Sequence, residues 1–252
     1  MVYKVGKLEQ SLLLQSDSLT KKHFPETIEY RKENIGAFLE KYNTIYVKHD
    51  TSGQGRGVFR VTQSKNNQVL VDGYTLFSKA VSGEKSLEEF HKILNPFERL
   101  GRIDPYIIQE GISSVTPDGN PFAIRVHVQR VKGQWVVGGM YGNIGTANHQ
   151  KNGVINRYRG TKPIPVDELF VKWLGMNSGR IENVRQKIQE VSLATAEVIY
   201  AKYPCREYGI DMGVDASDKP VVFEVNTTPG IGSFHGVDIN LWKNIVNNRK
   251  LS

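Results

Sequence analysis

The chain has 252 residues, 39% apolar and 23% charged, which is enough for one large domain or two interlocked smaller ones with a sizeable core. No apolar run approaches the ~20 residues that span a bilayer, and the start MVYKVGKLEQS has no signal-type stretch; the single cysteine, Cys205, excludes an internal disulfide and a cysteine-rich zinc centre, so a cytoplasmic location is expected. The net charge of +7 favours anionic partners such as nucleotides, but no block of five basic residues concentrates it, so neither nucleic acid nor a membrane is the expected partner.

Residues 7–16 (KLEQSLLLQS) read as a short helix, and Pro25 opens an extended segment, PETIEYR. ENIGAFLEK (33–41) reads as a helix leading into the strand TIYVKHD. In that strand Ile45 and Val47 face one way while Tyr46 and Lys48 face the other, which leaves Lys48 available to a site. A glycine-rich turn, Ser52 to Gly57, connects to the strand VFRVTQ, and NNQ (66–68) turns the chain into VLVDGYTLF. SLEEFHKIL (86–94) is predicted helical, with Ser86 and Glu89 in capping-box spacing. YIIQEGI (106–112) is an apolar strand.

FAIRVHVQRV (122–131) alternates, with Phe122, Ile124, Val126 and Val128 on one face and Ala123, Arg125, His127 and Gln129 on the other. Lys132-Gly133 turns it into QWVVGGMYG, and a polar, glycine- and asparagine-rich stretch runs from Asn143 to Gly160. A helix is predicted over 181–203, because Ile181, Val184, Ile188, Val191 and Val198 recur at helical spacing and Pro204 stops it. Two strands, REYGIDMGV and PVVFEVN, flank the turn DASDK, and a short amphipathic segment covers Ile239 to Val246. The pattern is α+β with many antiparallel hairpins, without the regular strand–helix alternation of a doubly wound sheet.

The last hairpin carries the sharpest chemistry. If Val214 pairs with Val221, counting back along both strands sets Asp211 opposite Glu224, with Cβ atoms roughly 5 Å apart. Asn226, two residues beyond Glu224, then projects from the same face. Opposed carboxylates repel unless a cation relieves them, and two carboxylates plus an amide oxygen suit Mg²⁺. By pattern alone a hairpin with solvated acids explains these residues equally well. The glycines at 53, 55 and 57 allow positive φ and let backbone N–H groups approach a phosphate, although a plain flexible turn explains such a loop more simply. No G-K-[ST] follows, so this is not a P-loop.

FEVNTTPG resembles the E-x-N-x-x-P-G signature of ATP-grasp enzymes such as the D-alanine–D-alanine ligases and the ribosomal-protein glutamate ligases, and among them the chain is most similar to the YheC/YheD spore-coat-associated family. The resemblance covers about residues 7 to 240 and implies two α+β lobes, roughly 30–112 and 113–240, whose antiparallel sheets sandwich the nucleotide. It implies that Asp211, Glu224 and Asn226 bind Mg²⁺, with Mn²⁺ as an alternative, and that Lys48 meets the ATP phosphates. Ser52, Gly53, Gln54, Gly55 and Gly57 would form a lid over them. Gln109, Glu110, Gly111 and Ile112 would supply the adenine strand, with the backbone of Glu110 and Ile112 as its donor–acceptor pair. Lys7 would be the upstream nucleotide lysine, with Lys4, Lys21 and Lys22 as rivals. Arg125 and Lys48 would take the catalytic charges, Asn156 would approach phosphate or metal, and Arg159 would meet substrate, although loop arginines such as Arg157 and Arg159 are usually solvated.

There are two departures from the pattern. Gly209 stands where D-alanine–D-alanine ligases carry arginine, as it does in the glutamate-ligase branch, and Ala123 replaces the aspartate of that branch's D-I-R. The implied activity is ATP-dependent ligation of a carboxylate to an amine or thiol through an acyl phosphate. The rival is a non-enzymatic nucleotide-binding, spore-coat-associated structural protein. Full enzymes of this kind usually carry a preceding acceptor-binding domain, whereas this sequence starts where the nucleotide half starts; a minimal acceptor site, a second chain that completes it, or a fragment of a longer protein are the three expectations.

Overall fold

The computed structural model describes residues 5–65, 68–146, 149–155 and 160–251. The NNQ turn therefore lies partly outside the described residues, and Lys4, Asn156, Arg157 and Arg159 lie wholly outside them.

Helix α1 (Lys7–Ser16) precedes β1 (Thr27–Glu29), α2 (Asn34–Lys41), β2 (Thr44–His49), β3 (Val58–Gln63), β4 (Val69–Tyr74), β5 (Ala80–Lys85), α3 (Leu87–Leu94) and β6 (Tyr106–Glu110). These strands form an antiparallel sheet in the order β1-β6-β2-β3-β4-β5. Then come β7 (Phe122–Val131), β8 (Gln134–Ile144), β9 (Lys162–Pro165), a short α4 (Val166–Glu168) that widens into a π turn over Leu169–Trp173, and α5 (Ser178–Tyr200). The chain closes with β10 (Glu207–Val214), β11 (Pro220–Asn226), α6 (Gly232–Val237) and α7 (Ile239–Leu251). The second sheet is also antiparallel, ordered β11-β10-β7-β8-β9.

Each sheet buries one face. Phe38 and Leu39 of α2 and Phe90 and Leu94 of α3 pack on Ile45, Val47, Phe59 and Val61 of the first sheet. The capping box at the start of α3 is formed: Ser86 Oγ accepts from Glu89 N at 3.2 Å and the Glu89 carboxylate accepts from Ser86 N at 2.8 Å. In the second sheet Ile124, Val126 and Val128 pack on Val184, Ile188 and Val191 of α5 and on Leu14 of α1. On the opposite face of that sheet, Phe234 of α6 and Ile245 of α7 form a small core with Tyr141. The rest of that face looks toward the first sheet.

Helix α5 spans Ser178–Tyr200 rather than 181–203. Asn177 caps it by accepting from Arg180 N at 2.9 Å, and the residues before Pro204 leave the helix because proline disfavours α geometry ahead of it. Strands β5 and β9 have no counterpart in the sequence reading. Both are sheet edges: β5 alternates only between exposed and half-buried positions, and β9 contains Pro163 and Pro165, which an edge tolerates.

The β10–β11 hairpin corrects one expectation. Val214 pairs with Pro220 and Val221 with Gly213, yet Asp211 does face Glu224. The register shifts between Asp211 and Met212, and Phe223 is the extra residue. Val222 and Val225 both face the core, so Phe223 and Glu224, though adjacent, are both freed toward the other side.

Candidate functional site

Between the sheets lies a cavity of about 680 Å³, a usual size for a small-molecule site. Lys7, Lys48, Ser52, Gly53, Gln54, Gly55, Gln109, Glu110, Gly111, Ile112, Arg125, Asp211, Glu224 and Asn226 all line it. Gly57 is outside the lining: its carbonyl accepts from His49 N at 2.7 Å, and a Cβ there would stand 2.8 Å from His49 Cβ, so it anchors the base of the loop. The positive φ angles fall on Gln54, Gly55 and Gly57 and not on Gly53. His49 Nδ1 accepts from Thr51 N at 3.2 Å and Ser52 N at 3.1 Å, which holds the loop against the end of β2.

On the first sheet, Lys48 Nζ donates to Gln109 Oε1, and Gln109 Nε2 donates to Thr27 Oγ1 at 3.0 Å. Burial pushes the Lys48 ammonium down to about 8; Glu224 opposes that shift and Lys7 adds to it. Along the hinge, Glu110 N–H donates to Glu26 O at 2.9 Å, so of that residue's backbone pair only the carbonyl remains for a base. Gly111 N donates to Thr44 O at 3.0 Å, and a Cβ at Gly111 would stand 2.5 Å from that oxygen, so only glycine lets the two segments approach so closely.

On the second sheet each charged side chain that lines the cavity has a partner. Arg125 grips Asp211 in a fork, Nε to Oδ1 at 2.6 Å and Nη2 to Oδ2 at 2.7 Å. Burial works against the Arg125 charge, but the Asp211 carboxylate outweighs it and raises the guanidinium's pKa. Lys7 Nζ lies 3.3 Å from Glu224 Oε1 and donates to Ser52 O at 2.7 Å and Asp50 O at 3.3 Å. The opposed carboxylates are thus each relieved by a protein cation. Helix α1 is set in place by Gln10, which donates to Val225 O at 3.1 Å and accepts from Val225 N at 2.8 Å.

Asn226 Nδ2 donates to Asp211 Oδ2 at 3.2 Å, which turns its carbonyl oxygen the other way. Two carboxylates and one amide oxygen on a cavity wall fit a hard cation that takes its other oxygens from phosphate and water. Among the described residues no group of three or more His, Cys, Asp or Glu side chains could hold a metal ion.

Further cavity residues went unmarked in the sequence: Arg60, Tyr141, Phe223 and Thr228. Arg60 was within reach of the alternation rule, because it pairs with Tyr46 across β2–β3 on the face that carries Lys48. It donates to Lys151 O at 3.1 Å, tying the first sheet to the segment that follows β8. His127, on the face of Arg125, is fully buried and does not line the cavity.

A family model described as YheC/D like ATP-grasp matches residues 3–248. The endospore coat-associated protein YheD of Bacillus subtilis (strain 168) is 26% identical over 234 residues, covering 88% of this chain and 48% of YheD. The chain thus spans about half the length of that curated relative. The crystal structure of the D-cycloserine synthetase DcsG has a TM-score of 0.55 at 12% identity, covering 96% of this chain and 71% of that one. The L-amino acid ligase from Bacillus licheniformis has a TM-score of 0.52 at 13% identity, covering 91% of this chain and 41% of that one. Both structural likenesses concern the fold, two antiparallel sheets facing each other across a cleft, and the match over nearly the whole length decides the family: the chain belongs to the YheC/D-like ATP-grasp family.

Proposed function

We propose that the chain binds Mg-ATP between its sheets and transfers the γ-phosphoryl group to a carboxylate, whose acyl phosphate is then attacked by an amine or thiol. One observation carries the reading: Asp211, Glu224 and Asn226 stand on one wall of a cavity whose other wall presents Lys48 and the Ser52–Gly55 loop. Mg²⁺, when bound, would neutralise charge on the transferred group. Lys48 and Lys7 supply cationic neutralisation from the first sheet and from α1. The Ser52–Gly55 loop would cover the phosphates, with backbone N–H groups that could receive phosphate oxygens. Arg125, held on the same wall by Asp211, would add a further positive charge near the phosphoryl group. The hinge from Gln109 to Ile112 would hold the base, with Phe223 as an apolar plate beneath it. The boundary between the lobes is proposed after Ile112, where the chain leaves the first sheet.

A second reading is a nucleotide-binding, coat-associated protein without turnover. The pairing of both carboxylates by Arg125 and Lys7 favours it, because the site is electrostatically satisfied without metal. The endospore coat association of YheD points the same way for location. No helix among the described residues is long and apolar enough to cross a membrane. Calorimetry with ATP should show binding that weakens markedly with EDTA, and ADP release should rise when a carboxylate and an amine acceptor are supplied together. Equal binding with and without EDTA would remove the metal assignment, and metal-dependent binding with no ADP release across an acceptor panel would favour the second reading.

A further inference from the structure

Past Arg125, the face of the second sheet that looks onto the cavity continues under the last two helices, where a buried polar network docks α7. Glu207, at the start of β10, accepts a fork from Arg249, Nε to Oε2 at 2.9 Å and Nη2 to Oε1 at 2.7 Å. The same Oε2 lies 3.2 Å from His127 Nε2 and 3.3 Å from Gln129 Nε2. Gln129 in turn donates to Ile245 O at 3.0 Å and accepts from Asn248 Nδ2 at 3.1 Å. Burial opposes ionisation of Glu207, but the hydrogen bonds from His127 and Arg249 outweigh it and bring the carboxyl down to about 2.

His127 is the member of this network that leads back to the site. Its Nδ1 is buried and has no hydrogen-bond partner among the described residues, so among them Glu207 alone orients the ring by hydrogen bonding. The ring meets Phe234 edge-on at 5.7 Å, and Phe234 meets Tyr141 edge-on at 4.8 Å. There is no slack behind Phe234: a Cβ at Gly139 would stand 3.2 Å from its Cε1. Phe234 follows directly on the cavity-lining stretch that contains Thr228, Gly230 and Ser233, and Tyr141 lines the cavity as the register partner of Arg125.

We infer that Glu207, clamped by Arg249, is a positioning residue for the cavity wall formed by Thr228–Ser233 and Tyr141, acting through His127 and Phe234, so that the last helix governs phosphoryl transfer without touching the nucleotide. The catalytic half of this inference rests on the proposed ATP-dependent activity; the structural half does not. Truncating Arg249 alone would strand a buried carboxylate and threaten the fold. The double variant Glu207→Gln/Arg249→Met removes both charges together, a change that cores often accept.

Hydrogen exchange on this double variant, without nucleotide, is expected to speed by about tenfold at amides 228–236 while β10 and β11 keep their protection. With nucleotide, kcat for ADP release should fall by about tenfold to a hundredfold while the Kd for MgADP stays within about twofold, the signature of lost orientation. Arg249→Lys, which keeps the charge but loses the fork, should fall between the variant and wild type. Unchanged exchange at 228–236 overturns the inference. So does a uniform rise across the second sheet, which would assign the network to global stability, and so does an unchanged kcat in a protein that turns over. A wild type that fails to bind MgADP defeats the ATP-dependent reading instead, and the exchange result then decides the structural half by itself.

Discussion

Asp211→Asn and Glu224→Gln are near-isosteric changes at facing positions of one hairpin, and the structure gives them different consequences for stability. Asp211 holds Arg125 by two short hydrogen bonds, with side-chain exposures of only 24% and 18%. Neutralising the acid leaves a buried guanidinium with one acceptor instead of a charged fork, and breaking a buried pair in this way costs about 3–5 kcal/mol. Asparagine keeps one acceptor, so the lower end applies, and for a chain of this size the melting temperature should drop by roughly 6–12 °C. Glu224 meets Lys7 at 3.3 Å, and Lys7 keeps the Ser52 and Asp50 carbonyls whatever stands at 224. Glu224→Gln should therefore cost about 1 kcal/mol or less. Metal-free differential scanning calorimetry of both variants, with circular dichroism to confirm folding, reads the difference. Equal losses, or a larger loss for Glu224→Gln, would refute the view that Arg125 depends on Asp211 while Lys7 is multiply supported. Both variants should lose metal-dependent ATP binding.

The remaining expectations concern the first sheet and the bulge. Because the free Lys48 ammonium titrates near 8, ATP affinity should fall above that pH by up to about tenfold per unit, and Lys48→Met should bind weakly with a flat profile; a wild-type affinity that is constant from pH 7 to 9.5 would refute this. The sign for stability is opposite: a lysine depressed in the folded state penalises folding below its folded pKa, so Lys48→Met should melt higher than wild type at pH 7, with the gap closing as pH rises toward the unfolded value. Arg60→Met should weaken ATP binding by about fivefold through loss of the bond to Lys151 O, with stability unchanged to about 0.5 kcal/mol; equal affinity would leave Arg60 a surface residue. Phe223→Ala should retain the hairpin and lose part of the nucleotide affinity, whereas deleting Phe223 should abolish metal-dependent binding, and a deletion variant that still binds with metal would show that the register is not what presents Glu224.

How far the sequence speaks for this molecule depended on how local each signal is. The capping box at Ser86, the alternation that turns Lys48 away from the first core and the four apolar residues of β7 depend on short spacing, and each is present in the structure. The facing of Asp211 and Glu224 also emerged, though from a turn register that does not exist: the bulge compensates for the different pairing nearer the turn. Long-range electrostatics stayed hidden. Nothing in KLEQ or in AIRV says that Lys7 will seek Glu224 or that Arg125 will seek Asp211, because those meetings are made by α1 lying across β11 and by β7 lying beside β10. Edge strands such as β5 and β9 were missed because one free side leaves little apolar patterning to read.

Phe223, opposed by no residue of β10, divides β11 into two stretches that are out of phase with each other. Substitution anywhere in Val221–Asn226 changes one side chain and leaves the others aimed as before. Insertion or loss of a single residue between Val222 and the turn at Asp215–Lys219 would turn Glu224 and Asn226 into the core and Val225 out of it. The segment behaves as a reading frame: drift can rewrite its letters but not their number. An engineer who grafts this site onto another sheet must carry the irregular strand together with its turn, because Glu224 and Asn226 placed on a regular hairpin would keep their chemistry and lose the neighbouring ring that shares their side.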